Sequence, residues 1–177
     1  MRALAVYCGS ASGSSPVYGD AAESFGRLLA SQGIRLVYGG GRVGLMGRVA
    51  DGCLAGGGEV FGVITRQLQD LEVGHTDIQE LRVVETMHER KRTMLEAADA
   101  TVALPGGWGT LEEIFEAVTW SQLQLHYKPA GLWNIDGYFD HLVSFLDHAH
   151  HQGFMRATGR DLLKVSGDPE ALLELLS

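Results

Sequence analysis

Pro105-Gly106-Gly107-Trp108-Gly109-Thr110-Leu111-Glu112-Glu113 places three glycines, a helix start and two carboxylates in one short stretch. Without Cβ atoms, Gly106, Gly107 and Gly109 let backbone N–H groups converge on one point. A helix N-terminus directly behind them adds partial positive charge. The combination is a cradle for an anion, most economically a phosphate. Glu112 and Glu113 stand within one turn of it. A cradle beside carboxylates suits an enzyme acting on a phosphorylated small molecule. Glu113 also has a purely structural alternative, because Thr110 as N-cap with Glu113 at N3 fits a capping box. Glu112, Glu116 and Thr119 share one helix face at i, i+4 and i+7.

A second constellation lies on the helical pattern Met87–Ala98, whose apolar stripe is Met87, Met94, Leu95 and Ala98. Arg90 and Lys91 fall on that stripe, whereas His88, Glu89, Arg92 and Glu96 take the other face. Cations on a packed side need partners, because burying charge unpaired is costly. The pair is either aimed at a substrate anion or held in a structural ion pair with snorkelling stems; Arg92 belongs to the solvated face. A third stretch, Gly39 to Gly44, matches G-x-G-x-x-G, a dinucleotide pattern. Its acidic partner should end the following strand, about 20 residues on. Glu59 has that spacing but precedes the strand, so a dinucleotide-dependent oxidoreductase is disfavoured. His148, His150 and His151 read as a solvated helix end rather than a metal cluster.

These groups need a scaffold that gathers them. The chain has 177 residues, 45% of them hydrophobic, and a formal net charge of −8. That length suits one domain, 1–177. Its acidity argues against nucleic-acid binding, which needs many phosphate contacts. Cys8 and Cys53 form no disulfide framework or C-x-x-C site; buried reduced thiols are expected. The apolar N-terminal run is too short for a signal peptide and reads as a strand. No segment reaches the roughly 18 apolar residues of a membrane span, so a cytoplasmic protein is expected.

Short apolar runs alternate with helical patterns. Strands are expected at 3–8, 34–38, 60–64, 81–84, 101–104, 130–134 and 162–165, and helices at 17–32, 44–56, 87–98, 110–124, 138–152 and 169–176. Asp168 caps the last helix, with Pro169 at its first position. The stretch 65–80 reads as a long irregular loop. The alternation predicts a doubly wound parallel sheet of about seven strands, with helices on both faces. Ligands of such sheets bind at the carboxyl ends of the strands. The turns beginning at Cys8, Gly39 and Pro105 all fall there, enough for a nucleotide-sized crevice.

Two segments together carry a resemblance. Met87-His88-Glu89-Arg90-Lys91 resembles the M-H-x-R-K segment of the Lonely Guy (LOG) family, and Pro105 to Glu113 resembles its P-G-G-x-G-T-x-x-E segment. Tyr7-Cys8-Gly9-Ser10, Val37 to Gly41, Gly44 to Gly47, Val118-Thr119-Trp120 and Asn134 to Tyr138 extend the similarity. The family consists of cytokinin riboside 5′-monophosphate phosphoribohydrolases. The resemblance implies a Rossmann-like fold, a homodimer, and neither metal nor cofactor. It implies hydrolysis of the N-glycosidic bond of an N6-modified adenosine 5′-monophosphate, with AMP as a further candidate substrate. By position, it makes Arg90 and Glu113 the catalytic pair. Glu72, Lys91, Gly106, Gly107, Trp108, Gly109, Thr110, Leu111, Glu112 and Thr119 become substrate contacts. Trp108 stands where the family commonly has tyrosine. A binding or carrier protein of the same fold that does no chemistry is the alternative from another class.

Overall fold

The structure, a computed structural model, describes residues 1–71 and 74–177. Glu72 lies outside the described residues. In chain order the elements are β1 (Ala3–Tyr7), α1 (Pro16–Ser31), β2 (Arg35–Tyr38), α2 (Gly44–Ala55), β3 (Val60–Thr65), α3 (Arg66–Leu71), β4 (Glu80–Val84), α4 (Met87–Glu96), β5 (Ala100–Ala103), α5 (Trp108–Gln122), β6 (Ala130–Trp133), α6 (Asp140–His151), α7 (Ala157–Arg160), β7 (Leu163–Ser166) and α8 (Pro169–Leu175). A 3₁₀ turn, Ile135–Gly137, joins β6 to α6. All seven expected strands form. Asp168 caps α8 by accepting from the Ala171 N–H at 2.7 Å, with Pro169 in the first turn.

The strands pair in parallel in the order β4-β3-β2-β1-β5-β6-β7. Successive strand side chains face opposite sides of the sheet. Leu4, Val6, Leu36, Tyr38, Val102 and Leu104 join Phe25, Leu29, Val49, Leu172 and Leu173 in one core layer, under α1, α2 and α8. Ala5, Tyr7, Val37, Phe61, Val63 and Ala103 join Met94, Ile114 and Leu146 in the other, under α4, α5 and α6. Chain order reverses direction between β1 and β5. The carboxyl ends of these two strands therefore flank the switch point, where open α/β sheets leave a crevice.

Several expectations are corrected. The helix after the glycine turn begins at Trp108, not Thr110, and its N-cap is Gly107, with no side-chain cap. Thr110 is thus inside the first turn, and the capping box with Glu113 does not exist. The stretch 65–80 is not wholly irregular: it holds α3 and the bridge between Gly41 and Gly74. Met87 is not core but 41% exposed, at the open end of the α4 stripe. The Glu59 expectation holds: the residue lies before β3 and pairs with Arg35 at 3.0 Å. Among the described residues, no helix is long and apolar enough to cross a membrane.

Candidate active site

The crevice over the switch point is a 210 Å³ cavity. The ends of β1 and β2 supply Tyr7, Cys8, Gly9, Ser10 and Gly39 to its wall; α2 and α4 supply Met46, Met87 and Arg90; the glycine turn and α5 supply Gly107, Trp108, Gly109, Thr110, Glu112 and Glu113. A second hollow of 320 Å³ shares Gly9, Ser10 and Gly107 with the first and continues past Gly106, Tyr18 and Tyr138. Joined, the two reach the size usual for a small-ligand site, about 300–1,000 Å³.

Arg90 lines the first cavity. It is 6% exposed, so its charge needs several partners. Its Nε donates to the Val63 carbonyl at 2.9 Å, and Nη2 donates to the Gly39 carbonyl at 3.0 Å. Its Nη1 reaches Glu113 Oε1 at 3.4 Å. These bonds use three of the five guanidinium donors. A Cβ on Gly39 would lie 2.2 Å from Arg90 Nη2. The absent side chain is therefore the slot in which the guanidinium sits. The Gly39 position needs a glycine because an arginine fills the space a side chain would take.

Glu113 is 9% exposed and lines the same cavity, so the pair meets at its wall. The cradle is preset by bonds behind it. Gly9 N–H donates to the Pro105 carbonyl at 3.0 Å, and the Tyr138 hydroxyl donates to the Gly106 carbonyl at 2.7 Å. Burial pushes the Tyr7 hydroxyl well above the usual tyrosine range, and the nearby charge of Glu113 adds to the shift. Tyr7 accordingly stays neutral in the cavity wall.

Lys91 goes elsewhere. Its ammonium bonds Glu112 and, at 2.9 Å, Glu116, strapping α4 to α5. Burial alone would lower its pKa, but the two carboxylates outweigh this and hold it above the ordinary lysine value. Both cations are paired in the structure: Lys91 with Glu112 and Glu116, and Arg90 with Glu113 at the wall of the cavity. Arg92 pairs with Glu96 on the solvated face, as expected.

The structure thus brings Arg90, Glu113, Gly107, Trp108, Gly109, Thr110 and Glu112 to one cavity, and Gly106 to the adjoining hollow. Leu111 instead packs against the α5-side core. Thr119 lies farther along α5, exposed, beside Phe115, Val118 and Met155 in a separate depression. Sequence reasoning placed the Gly39 turn at this edge but missed Tyr7, Met46 and Tyr138 as components of the site. The position of β1 at the switch point was the signal that could have marked Tyr7.

A parallel sheet wound in both directions, with a glycine-walled crevice over its switch point, defines a Rossmann-like α/β protein. Solved structures agree. The molybdenum cofactor binding protein of Rippkaea orientalis has a TM-score of 0.73 at 23% identity, covering 98% of this chain and 94% of that one. The molybdenum cofactor carrier protein of Chlamydomonas reinhardtii has a TM-score of 0.73 at 19% identity, covering 99% and 97%. At such identities the likeness concerns the fold. Residues 46–176 match the family described as "Possible lysine decarboxylase". The cytokinin riboside 5′-monophosphate phosphoribohydrolase LOG2 of Arabidopsis thaliana is 45% identical over 175 residues, covering 99% of this chain and 82% of the relative. The cytokinin riboside 5′-monophosphate phosphoribohydrolase LOG of Oryza sativa subsp. japonica is 49% identical over 162 residues, covering 92% of this chain and 67% of the relative. The chain belongs to the LOG family.

Proposed function

We propose that this protein hydrolyses the N-glycosidic bond of an N6-modified adenosine 5′-monophosphate, releasing the free base and ribose 5-phosphate. The observation that carries the reading is the buried Arg90–Glu113 pair beside a preset glycine cradle. The names of the relatives support it. The N–H groups at the start of α5 receive the 5′-phosphate, where the helix dipole favours negative charge. As the bond between C1′ and the base nitrogen lengthens, positive charge develops on the ribose, as in glycoside hydrolysis. The Glu113 carboxylate stabilises that charge and orients a water molecule. The water oxygen bonds C1′, the bonding pair leaves with the base, and a proton from water restores the neutral base. Arg90 neutralises developing negative charge and fixes Glu113. Met46 and Met87 offer an adaptable apolar wall for a base.

Incubation with AMP and with isopentenyladenosine monophosphate, followed by chromatography of the released base, tests this. Base from either substrate is expected. Tight binding without release would favour a carrier, and neither binding nor release would sink both readings.

The working form is a homodimer. Trp108, Glu112, Thr119 and Leu123 follow one face of α5 at helical spacing. Trp108 is 90% and Leu123 61% exposed, and Leu125 and Tyr127 extend the apolar surface. Exposed aromatics and leucines of this kind are characteristic of interface cores. A two-fold axis crossing the middle of α5 would bring the partner's face antiparallel to it. Thr119 of one copy would then approach the Trp108–Glu112 end of the other, which supports a substrate contact made across the dimer. Leu123→Glu is expected to give monomers in sedimentation analysis. An unchanged mass would exclude this face.

A further inference from the structure

We infer that Tyr138 is a positioning residue for the phosphate: its hydroxyl holds the Gly106 carbonyl and thereby aims the Gly107 N–H into the cavity. The inference rests on the proposed function for the identity of the anion, but the geometry stands apart from it. The Tyr138 hydroxyl donates to the Gly106 carbonyl at 2.7 Å. Because the peptide unit is planar and trans, its C=O and N–H point in opposite directions. Tyr138 lies on the side of the second hollow and does not line the first, whereas Gly107 lines both. With the carbonyl tied toward Tyr138, the Gly107 N–H is turned toward the Arg90–Glu113 cavity. The bond also turns a carbonyl lone pair away from a bound anion, which it would repel.

The turn that delivers Tyr138 is built at some expense. Asp136 and Gly137 are consecutive left-handed residues, with φ of +50° and +71°. A non-glycine residue in that region is strained and persists only where its surroundings over-determine it. Here Asn134 supplies the restraint: its side chain accepts from the Phe139 N–H and donates to Asp140, both at 2.7 Å. Tyr138 is then held edge-on by Tyr18 and Phe139, with ring centroids at 5.7 and 4.9 Å. Since β6 is the neighbour of β5 in the sheet, this turn is the element best placed to brace the glycine turn from outside. The run Asn134 to Tyr138, which the catalytic pair leaves unexplained, acquires a purpose as that brace.

Tyr138→Phe removes the hydroxyl and keeps the ring. Calorimetric titration with ribose 5-phosphate is expected to show about tenfold weaker binding, the size of one hydrogen bond to a preset group. Adenine binding should stay at the wild-type value. In the base-release assay KM should rise by a similar factor, with kcat within about twofold and the melting temperature unchanged. Unchanged ribose 5-phosphate affinity, or equal weakening for ribose 5-phosphate and adenine, would overturn the inference. In ¹⁵N-labelled protein, the Gly107 amide shift induced by ribose 5-phosphate should shrink in the variant, and a full wild-type shift would also count against it. A wild-type protein that binds ribose 5-phosphate yet releases no base would fail the proposed function and leave this inference intact.

Discussion

Glu113→Gln is expected to slow base release by roughly 10²–10³-fold, the usual scale for loss of one preorganised electrostatic contact in a water-poor site. The substitution keeps the shape of the side chain and an oxygen that can still accept from Arg90 Nη1. It removes the negative charge that faces the developing cation and that pairs with Arg90, so a modest drop in melting temperature should accompany the lost rate. Truncation would be a poorer test, since stripping one member of a buried ion pair costs about 3–5 kcal/mol in stability, and a lost fold would look like lost chemistry. A structural role would predict the reverse pattern, a lower melting temperature with the rate retained. The start of α5 already argues against that pattern. Gly107 is the cap and the helix runs from Trp108, so Thr110 and Glu113 do not form the expected capping box. A rate within tenfold of wild type would remove Glu113 from the mechanism.

Gly39→Ala should be nearly as damaging, although residue 39 brings no side chain to the cavity wall. Its new methyl would stand 2.2 Å from Arg90 Nη2 and 2.9 Å from the Met46 sulfur. The methionine can swing aside; the guanidinium is fixed by two backbone carbonyls and cannot shift without abandoning one of them. A displacement near 1 Å costs about 10²-fold in rate where geometry is critical, and that is the expected fall in kcat. Overpacking should also cost about 1–3 kcal/mol of stability, visible as a modest drop in melting temperature. Full activity in the variant would mean that Arg90 does not act from this slot.

Much of this arrangement was legible in residue patterns, and the failures have physical causes. Strand positions could be read because continuous apolar runs ending in glycine are distinctive. The burial of Arg90 and Lys91 followed from helical periodicity alone, and both are indeed buried. Their different fates did not follow. The acceptors of Lys91 lie 21 and 25 residues away, and those of Arg90 up to 51, so only tertiary structure could separate a cation on the cavity wall from one that straps α4 to α5. Thr110 misled because threonine before glutamate imitates a cap. In the fold its side chain is turned onto Gly106, where a Cβ would meet its hydroxyl at 2.0 Å. Tyr138 was invisible as a brace because its role depends on β6 lying beside β5, a neighbourhood that local patterns do not encode.

Arg90 touches β3 through Val63, the turn after β2 through Gly39, and α5 through Glu113, while sitting on a helix that leads from the edge strand β4 to the interior strand β5. One side chain thus gathers three segments that become neighbours only after the sheet has been wound in both directions. During refolding from denaturant, helical signal can return with local hydrogen bonds, but turnover cannot return before β2, β3 and β5 are all in register. Enzymatic recovery should therefore trail the circular dichroism signal and report the completed topology, making the active site a sensor of the protein's own assembly.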